Sequence, residues 1–165
     1  MQKFPKPIVV LSKCLGFEAC RYNGQVIPDG LVKKIEPYVD FKLVCPEVEI
    51  GLGVPRDPIR VISQGKEKRL LQPVTGRDIS SKMLSFADNY LKSLKEVDGF
   101  ILKSRSPSCG IKDVKLFPNS EDGTTIGKTK GFFADRVLER FSGLAMEDGR
   151  YKFIWAESIK RRKRA

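Results

Sequence analysis

Four cysteines, a carboxylate close to one of them and a pair of serines beside another are the residues of this chain best suited to chemistry. The thiols are Cys14, Cys20, Cys45 and Cys109, and no histidine occurs among the 165 residues. Without histidine there can be no serine–histidine or cysteine–histidine nucleophile pair, and no imidazole-ligated zinc hydrolase. Any metal must be held by thiolate or oxygen. Three thiolates suit a soft metal or a cluster. The gaps, however, are 31 positions from Cys14 to Cys45 and 64 from Cys45 to Cys109, unlike any short-spaced zinc or ferredoxin pattern. Spacing alone leaves a metal site and inert thiols equally open, because free cysteine is also a good small hydrophobe. Cys20 shares a loop with Cys14, so a four-thiolate zinc site is open too.

The neighbours of two thiols favour chemistry. In Cys45-Pro46-Glu47 a carboxylate sits two residues from a thiol, where a purely structural site gains nothing from added negative charge. In a chain without histidine, Glu47 is the candidate general base. The plain alternative is an exposed acid, or an ion-pair partner of Arg21 or Arg56. Ser106-Pro107-Ser108-Cys109-Gly110 gathers two hydroxyls around another thiol in a proline- and glycine-containing turn. On turn statistics alone, a serine-rich turn without function is the better reading there.

Elements must bring these residues together. Pro7 to Ser12 is a short, continuously apolar run, as a buried parallel strand requires, and it runs into Cys14. Asp29 is placed to cap a short helix from Gly30 to Glu36, which Pro37 stops. Phe41 to Val44 reads as a second strand leading into Cys45. Arg60–Ile62 and Lys68–Leu71, flanking Gly65, read as a hairpin. Between Asp78 and Lys95 the apolar residues Ile79, Met83, Phe86, Leu91 and Leu94 fit one helical face. Gly99 to Leu102 is the next buried strand, leading to the Ser106–Gly110 turn. Asn119 to Gly131 reads as a polar loop, Phe132 to Phe141 as a helix, Leu144 to Met146 as a last strand, and Tyr151 to Lys160 as a closing helix. Alternating strands and helices predict a single-domain α/β fold with a mainly parallel sheet and helices on both faces. Such sheets bind ligands beyond the carboxyl ends of their strands. Cys14, Cys45 and Cys109 each follow soon after a strand end, so neighbouring parallel strands would bring all three to one edge.

Length and composition are those of one globular domain: 41% apolar and 31% charged. No apolar run approaches the roughly 18 residues of a membrane span, and the start has no secretory pattern. The expected location is the cytoplasm, where free thiols outnumber structural disulfides. The net charge is +11, of which Lys160-Arg161-Arg162-Lys163-Arg164 supplies five. The domain is therefore expected over 1–159, followed by a basic tail over 160–165. Such a tail is either a nucleic-acid-contacting arm or a solvated end.

Four motifs resemble, in order and in spacing, those of the thiouracil desulfidase family: Ser12-Lys13-Cys14-Leu15-Gly16, Cys20-Arg21-Tyr22-Asn23-Gly24, Cys45-Pro46-Glu47 with Gly51-Leu52-Gly53-Val54-Pro55-Arg56, and Ser106-Pro107-Ser108-Cys109-Gly110. The resemblance covers roughly residues 7 to 145. It implies an α/β fold and a 4Fe–4S cluster held by Cys14, Cys45 and Cys109, with one iron not ligated by cysteine. It also implies a non-redox removal of sulfur from thiolated uracil, thiouridine nucleotides or thiolated tRNA, giving the oxo base and hydrogen sulfide. Under that resemblance Glu47 is the base, Ser106 the first and Ser108 the second choice for a proton relay. Ser12, Arg21, Tyr22 and Lys103 would contact substrate. Asn23 replaces the family's usual aspartate, and Cys20 occupies a position where the family often has another residue, which argues against Cys20 as a required ligand. Two rivals belong to other classes: a nucleic-acid-binding module with a structural four-cysteine zinc, and a thiol-based sulfur carrier using Cys20 beside Arg21.

Overall fold

A strand that is apolar on both faces needs cover on both sides, and the run Ile8–Ser12 finds it. The structure, a computed structural model, describes residues 4–148. Along the chain come β1 (Ile8–Ser12), α1 (Gly30–Ile35), β2 (Asp40–Val44), α2 (Pro46–Glu49), β3 (Arg60–Gln64), β4 (Glu67–Gln72) and β5 (Arg77–Asp78). They are followed by α3 (Ser80–Ser93), β6 (Gly99–Ile101), β7 (Val114–Phe117), β8 (Gly127–Thr129), α4 (Phe132–Arg140) and β9 (Ala145–Glu147). The first sheet has the order β2-β1-β6-β9, with every pair parallel. Alternate residues of β1 enter different cores. Val10 packs with Phe100, α3 and α4, whereas Val9 and Leu11 pack with Val32 of α1, Cys14, Leu15 and Cys20.

The expected α/β architecture is present, but the strands divide between two sheets. The β3–β4 hairpin joins a second, mixed sheet of order β5-β4-β3-β7-β8, and its inner face shares a core with the first sheet through α3 and α4. Besides the two-residue β5, two of its strands escape sequence reading. Val114–Phe117 has a lysine in the middle, and Gly127–Thr129 lies within the segment read as loop; each is held by its partner's hydrogen bonds rather than by a propensity of its own. The four-residue helix α2 is also unannounced: Pro46 opens it, where a missing N–H costs nothing. The expected cap of α1 is present, with Asp29 Oδ1 accepting from Leu31 and Val32 at 2.9 and 3.1 Å. The closing helix and basic tail lie outside the described residues. No described helix is long and apolar enough to cross a membrane.

Candidate active site

Because β2, β1 and β6 are adjacent and parallel, their carboxyl ends open on one edge. Cys14 follows β1 by two residues, Cys45 follows β2 directly, and the chain beyond β6 leads through Lys103 and Ser104 to Cys109. The loops enclose a cavity of about 400 Å³. All four thiols line it, together with Ser12, Arg21, Tyr22, Glu47, Lys103, Ser106 and Ser108. Every residue singled out for chemistry thus lies on one wall or another of a single cavity.

Glu47 is carried in the first turn of α2, buried in the cavity wall. Its Oε1 accepts from Ser108 Oγ at 2.9 Å. A hydroxyl has one proton, so in the 3.1 Å contact between Ser106 and Ser108 Oγ atoms Ser106 must be the donor. The oxygen of Ser106 accepts the backbone N–H groups of Ser108 and Cys109 at 3.3 and 3.0 Å. A directed chain therefore runs from half-buried Ser106 through buried Ser108 to Glu47. The turn is anchored from α4, whose first N–H groups have no partner within the helix. Phe132 donates to Pro107 O, and both Phe133 and Ala134 donate to Ser108 O, at 3.1, 2.9 and 3.0 Å.

The thiols are crowded with one another rather than with cations. Hydrogen bonding with Cys14 and burial push the Cys20 thiol up to about 11, against an opposing contact with Cys45. The hydrogen bond with Cys20 and burial push Cys45 far above the ordinary thiol range, and burial pushes Cys109 up to about 12. Thiols raised in this way favour the protonated form, a preference that a bound metal centre would reverse. Among the described residues, no three Cys, Asp or Glu side chains form a group that could hold a single metal ion. Soft thiolate donors that face one roomy cavity have the chemistry an iron–sulfur group requires.

The remaining expected contacts differ in character. Ser12 Oγ accepts from Lys103 N–H at 3.0 Å and bonds the Cys109 thiol, so it ties two walls together. Burial pulls Lys103 below the ordinary lysine range, and its ammonium donates to Ser104 O at 2.6 Å. Arg21 and Tyr22 stand at the mouth, the guanidinium 5.7 Å from the ring centre, with Tyr22 exposed. Lys13, Arg56 and Arg105 also line the cavity; of these the sequence offered only Arg56, as an ion-pair partner of Glu47, and that pair is present. The signal for Arg56 was its motif and its charge opposite Glu47; nothing in the sequence signalled Arg105.

The 2-thiouracil desulfurase family model matches residues 9–149. A Bacillus subtilis (strain 168) relative, the uncharacterized protein YbbK, is 31% identical over 110 residues, covering 62% of this chain and 73% of that protein. A solved structure of the 4Fe–4S-dependent thiouracil desulfidase TudS superposes with a TM-score of 0.67 at 24% identity, covering 93% of this chain and 99% of its own, and supports the fold. On the family match over nearly the whole described chain, this protein belongs to the 2-thiouracil desulfurase family.

Proposed function

We propose that this protein is a cytoplasmic, hydrolytic desulfidase of thiolated uracils that depends on a 4Fe–4S cluster. Cys14, Cys45 and Cys109 would hold the cluster, leaving one iron without a cysteine. Their convergence on one cavity, the lack of competing imidazole and the similarity to a 4Fe–4S-dependent enzyme support that assignment. When bound, an iron free of cysteine supplies a soft Lewis acid able to polarise a thiocarbonyl. The chain's own residues do the rest. Glu47 accepts the proton of the attacking water, directly or through Ser108 and Ser106. Ser106 presents the wet end of that chain to the substrate. Lys103, Arg21 and Tyr22 orient the base at the mouth, and Ser12 keeps the Lys103 strand end against the Cys109 thiol. Water supplies the oxygen of the product base, and the sulfur leaves as hydrogen sulfide. Free base, thiouridine nucleotide and thiolated tRNA are all substrates of the chemistry proposed.

One observation carries the reading: the Ser106–Ser108–Glu47 hydrogen-bond chain lies in the wall of the cavity that the cysteines share. The test is anaerobic reconstitution with iron and sulfide, followed by absorbance, iron content and release of sulfide from 2-thiouracil and 4-thiouracil. A brown protein that releases sulfide is expected, with cluster loss in Cys14→Ser, Cys45→Ser and Cys109→Ser but not in Cys20→Ser. A colourless zinc protein, or retention of the cluster in Cys14→Ser with loss in Cys20→Ser, would overturn it.

A further inference from the structure

Arg56 is nearly inaccessible, its side chain 4% exposed, and all three of its guanidinium nitrogens are engaged. Nε and Nη2 both reach Oε2 of Glu47, at 2.8 and 2.7 Å. Nη1 donates to the carbonyls of Cys20 and Gly53, at 2.9 and 2.8 Å. The backbone N–H of Arg56 donates to Tyr22 O at 2.8 Å. Both contacts to the carboxylate fall on one oxygen, and Ser108 holds the other. The terminal torsion of a glutamate is soft, so an unheld carboxylate would swing. Gripped at both oxygens, it cannot.

We infer that Arg56 is a positioning residue for the base: it occupies Oε2 and thereby leaves Oε1, the oxygen bonded to Ser108, as the proton acceptor. The proton from the cavity then passes to Ser108 Oγ as the proton of Ser108 moves to Glu47 Oε1, and no other group changes charge. Arginine is required because the task needs a planar fork that binds one carboxylate oxygen and two carbonyls at once; lysine offers a single ammonium point. The inference rests on Glu47 acting as the base, and the experiment separates the two.

Full-length protein reconstituted anaerobically is compared as wild type, Arg56→Gln, Arg56→Lys, Glu47→Gln and the double variant Glu47→Gln/Arg56→Gln. Iron content, absorbance and the kcat and KM for 2-thiouracil and 4-thiouracil are measured. Arg56→Gln is expected to keep its iron and to lose about 10–10² in kcat, as misplaced reacting groups do, with KM within about twofold of wild type. Arg56→Lys should recover part of that loss. In the Glu47→Gln background, Arg56→Gln should cost nothing further, because a residue that acts through Glu47 has nothing left to position. An equal fall in both backgrounds, or loss of iron in Arg56→Gln, would make Arg56 a scaffold residue and overturn the inference. Should Arg56→Gln fail to fold, an Arg56→Lys protein with wild-type kcat would overturn it equally. Full turnover in Glu47→Gln would instead remove the base assignment beneath it.

Discussion

Two acidic side chains at the same sheet edge have opposite situations. Glu47 accepts from Arg56 and Ser108, whereas Glu147, 2% exposed, has no hydrogen-bond partner for Oε1 among the described residues. For Glu47 the expected consequence is chemical: Glu47→Gln, isosteric and uncharged, should keep the cluster and lose about 10²–10⁴ in turnover. Ser108→Ala should also slow turnover, since the relay then lacks its middle member. Sulfide release from reconstituted protein checks both, and near wild-type rates in Glu47→Gln would exclude the base role. For Glu147 the consequence is energetic. Burial, with the neighbouring Asp148 charge, raises its carboxyl above the ordinary value while Lys112 opposes. A carboxyl raised in the folded state contributes stability that is complete below the unfolded value of about 4.3 and lost as pH climbs through the native value. Glu147→Gln should therefore raise the melting midpoint at pH 8, with the advantage shrinking toward pH 4. A midpoint difference that does not change with pH would show that a cation compensates the charge.

Among the elements, the contact between the Ser106–Gly110 turn and the start of α4 matters most to the site. Gly131 N–H donates to Gly110 O at 2.7 Å. A Cβ on Gly131 would lie 2.5 Å from Ser108 O and 2.6 Å from its carbonyl carbon, both backbone atoms that cannot swing aside. Gly131→Ala should thus displace the turn carrying both serines of the proposed relay. A cost of about 1–3 kcal/mol is expected, typical of overpacking, together with a fall in turnover larger than the stability loss explains. Gly127→Ala is the control, since a Cβ there meets nothing within 4 Å. Thermal melting and sulfide release compare the two, and equal behaviour would show that the turn tolerates the shift. The same packing explains why the helix from Phe132 was legible: Phe133, Ala134 and Val137 are fully buried on one face, and that periodicity survives in the sequence.

At the scale of the molecule, charge and topology act separately. The +11 charge, five of it in Lys160–Arg164, predicts salt-dependent affinity for polyanions through counterion release. Deleting residues 160–165 should leave activity on a free thiolated base unchanged and lower activity on thiolated RNA, most at low salt. Equal activity on RNA at every salt concentration would return the tail to a solvated end. Topology accounts for the site. Buried strands were readable because Val9, Val10, Leu11 and Phe100 are apolar in unbroken runs, and the residues fit for chemistry were readable because few side-chain types can bind soft metal or move a proton near neutral pH. Which strands would be neighbours was not readable, since pairing is a long-range choice among runs that look alike. Nor was the division into two sheets, for Val114–Phe117 and Gly127–Thr129 become strands only beside their partners. The sequence by itself supplied the available thiols, the candidate base and the α/β class, because these follow from residue type and local periodicity; the choice of three thiols as ligands came only with the family resemblance. Only the tertiary structure decided that Arg56 grips Glu47 and that Ser108, itself bonded by Ser106, donates to it, because hydrogen-bond direction depends on how folded loops are held against one another.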